Sequence, residues 1–173
     1  MIFSSSLIEN AVHEFAKLPG IGKKTALRLV LYLLKQEESH VELFSTTIAQ
    51  MRREIQFCAQ CNNVSDQTVC RICSDAHRKK NQVCVVENIR DVMAIEATQQ
   101  YNGQYYVLGT LISPLDGIGP DAIPIDPLIK RLETLEADEL ILAISPTIEG
   151  DTTSYYISKK AKHLPLKITT ISR

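Results

Sequence analysis

No long apolar run occurs in this chain of 173 residues. Its longest apolar stretch, Leu27 to Leu34, is broken by Arg28 and falls far short of the roughly 20 residues a membrane-spanning helix requires. The amino terminus, Met1-Ile2-Phe3-Ser4, lacks the basic region and apolar core of a secretory leader, so a cytosolic protein is expected. Cysteine is scarce: there are five, an odd number, and a reducing cytosol disfavours a disulfide framework. Internal repeats and low-complexity tracts are absent. The net charge is only -1, which taken alone argues against a nucleic-acid partner.

What is present is organised. A hydrophobic fraction of 45% with 23% charged residues is that of a soluble globular protein, and the length suits one domain of about 100 residues plus smaller modules. The near-zero charge hides segregation. From Ala16 to Gln36 there are five bases (Lys17, Lys23, Lys24, Arg28, Lys35) and no acid, whereas Leu111 to Tyr156 carries nine acids against Lys130 and Arg131. Such asymmetry points to one face for a polyanion and another for different partners or chemistry.

Apolar residues at Leu7, Ile8, Ala11, Val12 and Phe15 follow helical spacing after Ser4-Ser5-Ser6, which can supply an N-cap. "LPGIGKK" interrupts the pattern, and a second helix resumes through "KTALRLVLYLLK". Val41, Phe44, Ile48, Met51 and Ile55, spaced by three and four, mark a third helix, and the three are expected to form a small bundle. From Gln82 onward "VCVVE", "QYYVLG", "ELILAIS" and "LKITTIS" read as strands, alternating with helices over "IRDVMAIEAT", "DPLIKRLETL" and "TTSYYISKKAKH". Strands and helices in alternation imply right-handed crossovers and a mainly parallel sheet. The expected fold is therefore a multi-module α+β chain: a helical region over 1–56, a cysteine module over 57–78 and an α/β domain over 79–173.

Four of the cysteines form two C-x-x-C pairs, Cys58/Cys61 and Cys70/Cys73, eight residues apart. Each pair places two sulfurs on one tight turn, and zinc takes four thiolates in a tetrahedron. The spacer "NNVSDQTV" is polar and has little to pack, so the metal supplies the missing core. Four protein ligands leave no open position, which makes the zinc structural. The competing readings are a redox pair or two disulfides. Cys84, inside "VCVVE", reads as a small core residue.

The "LPGIGKKTALRL" turn lacks the spacing of a nucleotide-binding P-loop. It offers two glycines opening onto a helix N-terminus, where free N–H groups and the dipole favour a phosphate. Lys23, Lys24 and Arg28 add charge there, the pattern of a sequence-independent DNA backbone contact. The alternative is a tight helix–helix turn with solvated lysines. Glu87, Glu149 and Asp151 fall after strands, at the carboxyl ends where open α/β folds gather ligands. They can hold Mg²⁺, or Glu87 and Asp151 can cap the helices that follow. Tyr155 and Tyr156 are not obviously presented as nucleophiles, and no catalysis is expected.

In this order the motifs "LPGIGKKTALRL", "CAQCNNVSDQTVCRIC", "VCVVE" and "SPTIEGDTT" closely resemble the RecR family of bacterial recombination mediators, over essentially the whole chain. The resemblance implies a helix-hairpin-helix region, a C4 zinc finger and a Toprim domain. Toprim proteins carry a glutamate after the first strand, matched by Glu87, and a D-x-D pair, matched here as Glu149-Gly150-Asp151 with Glu for Asp. It further implies a non-enzymatic, nucleoid-associated protein acting with RecO, and in some settings RecF, to load RecA on single-stranded DNA gaps. Family members assemble as dimers or tetrameric rings around DNA, with Lys24 and Arg28, supported by Lys23, facing inward. Glu149 and Asp151 then serve a basic partner such as RecO, the alternative being a Mg²⁺-dependent nuclease or primase-like enzyme. RecR-like chains usually continue a few dozen residues beyond Ile171-Ser172-Arg173, with a segment that helps subunits join.

Overall fold

The computed structural model describes residues 4–171. Met1 to Phe3, which enter the leader argument, and the Ser172-Arg173 end lie outside that range. Two compact units are present, one ending at Glu54 and the other beginning at Ile55.

The first unit contains helices α1 (Ser6–Ala16), α2 (Lys23–Leu33) and α3 (Glu38–Glu54). Val12 of α1 and Ala26 and Val30 of α2 are its buried centre, with Ile8, Ala11, Phe15, Ile21 and Leu27 packed around them. Ser5 takes the N-cap position of α1 but makes no side-chain cap bond. The expected bundle is only partly realised. α3 forms where its periodicity places it, yet no residue of it is buried, and Phe44, Ile48 and Met51 are about half exposed. Amphipathic spacing fixes a helix and its apolar side, but it does not specify what covers that side.

The second unit opens with a hairpin, β1 (Gln56–Phe57) against β2 (Val64–Ser65), and the short helix α4 (Arg71–Ser74). A four-stranded sheet follows from β3 (Gln82–Val86), β4 (Gln104–Val107), β5 (Glu139–Ala143) and β6 (Lys167–Thr170), in spatial order β4-β3-β5-β6 and parallel throughout. The crossovers carry α5 (Ile89–Ala97), α6 (Ile125–Thr134) and α7 (Ile148–Ala161). Both faces are covered, which is why "VCVV" is apolar without alternation. Val83 and Val85 pack with Leu128 and Leu132 of α6 and Ile157 and Ala161 of α7. Cys84 and Val86 face the other way, with Val92 of α5 and Tyr105, so Cys84 is the core residue its context suggests.

The cysteine segment is built into this unit. The Val107 amide donates to the Cys61 carbonyl at 2.8 Å, and the Asn62 side-chain amide donates back to the Val107 carbonyl at 2.8 Å. These bonds extend the ladder from the edge strand β4 into the first cysteine turn. Arg78, just beyond the segment, bonds the Glu96 carboxylate of α5, which also accepts from the Tyr105 hydroxyl at 2.7 Å.

α7 begins earlier than "TTSYYISKKAKH" suggests. Thr147 caps it, accepting from the Gly150 amide at 3.1 Å, and Gly150 sits in its first turn against the loop that follows β5. A methyl group on Gly150 would overlap the Ser145 carbonyl oxygen and lie 3.1 Å from the Ser145 carbon. Glycine lowers helix propensity, which masks the helix start in the sequence, yet only glycine permits this approach. Gly150→Ala is expected to destabilise the unit by about 3 kcal/mol and lower its melting temperature by roughly 10 °C. An unchanged melting curve by circular dichroism would contradict this packing. Among the described residues no helix is long and apolar enough to cross a membrane.

Candidate metal centre and nucleic-acid interface

Cys58, Cys61, Cys70 and Cys73 converge, all buried, with their sulfurs within 4.8 Å of one another. The Sγ atoms of Cys61 and Cys70 are 3.6 Å apart. A zinc ion with thiolates at about 2.3 Å requires tetrahedral edges of about 3.8 Å, so the four sulfurs fit the ion. All five cysteines are free thiols, which removes the disulfide reading. The turns that present the sulfurs are held locally: the Cys58 amide donates to the Asn63 carbonyl at 2.7 Å, and the Cys70 amide donates to Cys58 Sγ at 3.3 Å. Hydrogen bonding within the cluster couples the thiols. The bond with Cys70 is the largest factor pushing Cys61 well above the ordinary thiol range, and the same bond draws Cys70 well below it. Four sulfurs this close ionise together only around a cation, which is what a divalent metal provides.

Two further residues belong to this centre and escape the sequence reading. Arg131 of α6 donates to Cys73 Sγ at 3.3 Å, and the same nitrogen donates to the Gln104 amide oxygen at 3.1 Å. Gln104 is 1% exposed. A glutamine opening a strand that is otherwise apolar, "QYYV", is the one sequence signal that pointed to it.

The second candidate site lies on α2. Gly20 makes the turn with a φ of 79°, a left-handed conformation that glycine adopts without strain. Gly22 then takes the N-cap position of α2 with an ordinary extended backbone and no side-chain cap bond. A methyl group on Gly22 would meet nothing within 4 Å, so the chain's own packing does not demand glycine there, and the helix start is open to an incoming group. The first turn of α2 holds no acid. Lys24, Arg28 and Lys35 line one open groove of about 400 Å³ together with Leu27, Leu31 and Tyr32. Lys23 is exposed beside this groove and does not line it. Among the described residues no ion pair engages Lys23, Lys24 or Arg28. Lys17 differs: its ammonium pairs with Glu14 at 2.6 Å.

The three acids occupy the carboxyl end of the sheet as expected, since Val86 and Ala143 are register partners. Glu87 follows β3 and accepts a long bond from the Ser145 hydroxyl at 3.4 Å. Glu149 and Asp151 lie in the first turn of α7, where their charge complements the helix dipole. Neither Glu87 nor Asp151 caps a helix: Asn88 caps α5 in a capping box with Asp91, and Thr147 caps α7. Among the described residues the four cysteines are the one group of three or more potential ligands gathered within 4.8 Å; Glu87, Glu149 and Asp151 do not form another. Tyr155 is 70% exposed, while the Tyr156 ring lies under the Lys160 ammonium at 5.9 Å.

A basic helical hairpin, a four-cysteine knuckle and a parallel sheet with acids at its carboxyl end define a zinc-organised α/β protein of the nucleic-acid-handling kind. Family models agree in the same order: the RecR helix-hairpin-helix matches residues 8–52, the RecR zinc finger domain of the four-cysteine type matches 55–75, and the Toprim domain matches 81–172. The chain is 52% identical along its whole length to the recombination protein RecR of Amoebophilus asiaticus, covering 86% of that protein. It is 51% identical over 99% of its length to that of Bacteroides fragilis and 48% over 99% to that of Porphyromonas gingivalis, covering 83% of each. The chain belongs to the RecR family.

Proposed function

We propose that this chain is a non-catalytic DNA-binding mediator of recombinational repair. It acts with RecO, and in some settings RecF, to promote loading of RecA on single-stranded gaps, in the cytoplasm and associated with the nucleoid. The observation that carries this reading is the start of α2, where an open N-terminus capped by glycine lies beside Lys24 and Arg28, neither held in an ion pair among the described residues. Backbone N–H groups and two cations suit phosphate oxygens and read no base, so binding is tolerant of sequence. A homo-oligomer, dimer or tetrameric ring, would place several such helix starts around one DNA. Glu149 and Asp151 then serve a basic partner surface. The direct test is titration of the full chain against random-sequence oligonucleotides at low salt, with RecO added in a second arm. Absence of any complex at about 50 mM salt, where backbone contacts are strongest, would sink the reading.

The placement of Glu87 beside the α7 start favours a second reading, a Mg²⁺-dependent Toprim nuclease or primase-like enzyme. Labelled DNA incubated with the protein and Mg²⁺ or Mn²⁺ is expected to come through intact. Products that appear and then vanish in Glu87→Gln would install the enzyme in place of the mediator.

A further inference from the structure

Arg131 raises an electrostatic question. Its guanidinium is half-buried, and among the described residues no carboxylate pairs with it. A charge withdrawn from water without a counter-ion is unfavourable. The group it meets is Cys73 Sγ, at 3.3 Å. Four thiolates around one divalent cation leave the centre with two negative charges in excess, so cation and anion here each lack what the other supplies.

Gln104 strengthens the case. It lies on β4, on the sheet face that α6 covers together with Tyr106, at a position where a leucine or valine would pack. Its amide oxygen accepts from Arg131, while its amide nitrogen is buried without a hydrogen-bond partner. An unsatisfied buried amide is destabilising, so the bond that fixes the direction of the guanidinium is made at a cost in stability. Gln60, beside the first cysteine pair, accepts from the other terminal nitrogen at 3.3 Å. The guanidinium plane is thus pinned by two amide oxygens and aimed at a sulfur.

We infer that Arg131 is the counter-charge of the four-cysteine zinc centre, oriented by Gln104, so that helix α6 of the α/β fold sets how firmly the metal is retained. The thiolates bind the ion; Arg131 reduces the repulsion among them and donates to one of them. Partners of this kind, one step removed from the metal, commonly change its affinity by about 10 to 100-fold.

The test uses the full zinc-loaded chain at fixed pH, with zinc transfer to excess chelator followed by an indicator dye. A second readout is the sulfur-to-metal charge-transfer band of the cobalt-substituted protein. Arg131→Gln is expected to release zinc about tenfold faster and to shift the band. Arg131→Lys, which keeps the charge but not the planar fork, is expected to release zinc more slowly than Arg131→Gln. Parental release and an unshifted band in Arg131→Gln would overturn the assignment. So would equally fast release from the Gln and Lys variants, which would mark a packing role. Should Arg131→Gln fail to fold, Gln104→Leu decides: several-fold faster release supports the assignment and the parental rate refutes it.

Discussion

Cys61→Ser is expected to unfold the unit that begins at Ile55 rather than merely loosen its first turns. Cys61 is 1% exposed, its sulfur lies 3.6 Å from that of Cys70, and its carbonyl accepts from the Val107 amide. The same residue therefore ligates and continues the sheet edge. Structural zinc contributes about 10 to 16 kcal/mol to folding in small finger peptides, while whole domains are stable by only about 5 to 15 kcal/mol. If losing one of four ligands releases the metal, the whole of the first quantity is lost, and it is comparable to the second. Elemental analysis should find the parent with zinc and the variant without it, and thermal melts should show the variant losing its cooperative transition. A variant that retains both a folded sheet and a sharp melt while free of zinc would contradict the structural role of the metal.

The second large effect concerns binding. Replacing Lys24 and Arg28 together by alanine is expected to weaken DNA binding by at least about a hundredfold. Each removes a charge-assisted hydrogen bond of about 1.5 to 3 kcal/mol from a site that has no acid in the first turn of its helix. Lys17→Ala is the control, since that lysine already pairs with Glu14 and should change affinity little. The distinction between these lysines is one of geometry, because the sequence shows all of them in one stretch without acids. Equal losses from Lys17→Ala and from the double variant would mean that overall charge matters and that the helix start does not.

How far the fold was legible depended on whether a signal was local. Periodicity marked α1, α2 and α3, and uninterrupted apolar runs marked the parallel strands, because each reports the burial of its own segment. The two C-x-x-C pairs were legible for the same reason: ligand type and spacing fix a metal with little help from the rest of the chain. Gly150 shows where this stops. It reads as a loop residue by propensity, and only the approach of the β5–α7 connection explains a glycine inside a helical turn. Arg131 lies 58 residues from Cys73, and nothing in the local pattern of α6 tells a solvated arginine from one facing a thiolate. The apolar side of α3 is a stripe, as its spacing implies, yet none of its residues is buried in the expected bundle. The caps went the same way. Glu87 and Asp151 were candidates by position, but Asn88 and Thr147 have the side chains that reach back to a free amide.

Lys24 and Arg28, which enter no ion pair among the described residues, are expected to hold DNA through its phosphates, and the salt dependence of binding tests this most directly. The logarithm of the association constant, plotted against the logarithm of salt concentration, should fall on a line whose slope is shallower by about two units in the Lys24→Ala/Arg28→Ala variant than in the parent. Parallel lines for the two proteins would contradict the account, because they would show that neither side chain displaces a counterion from the DNA.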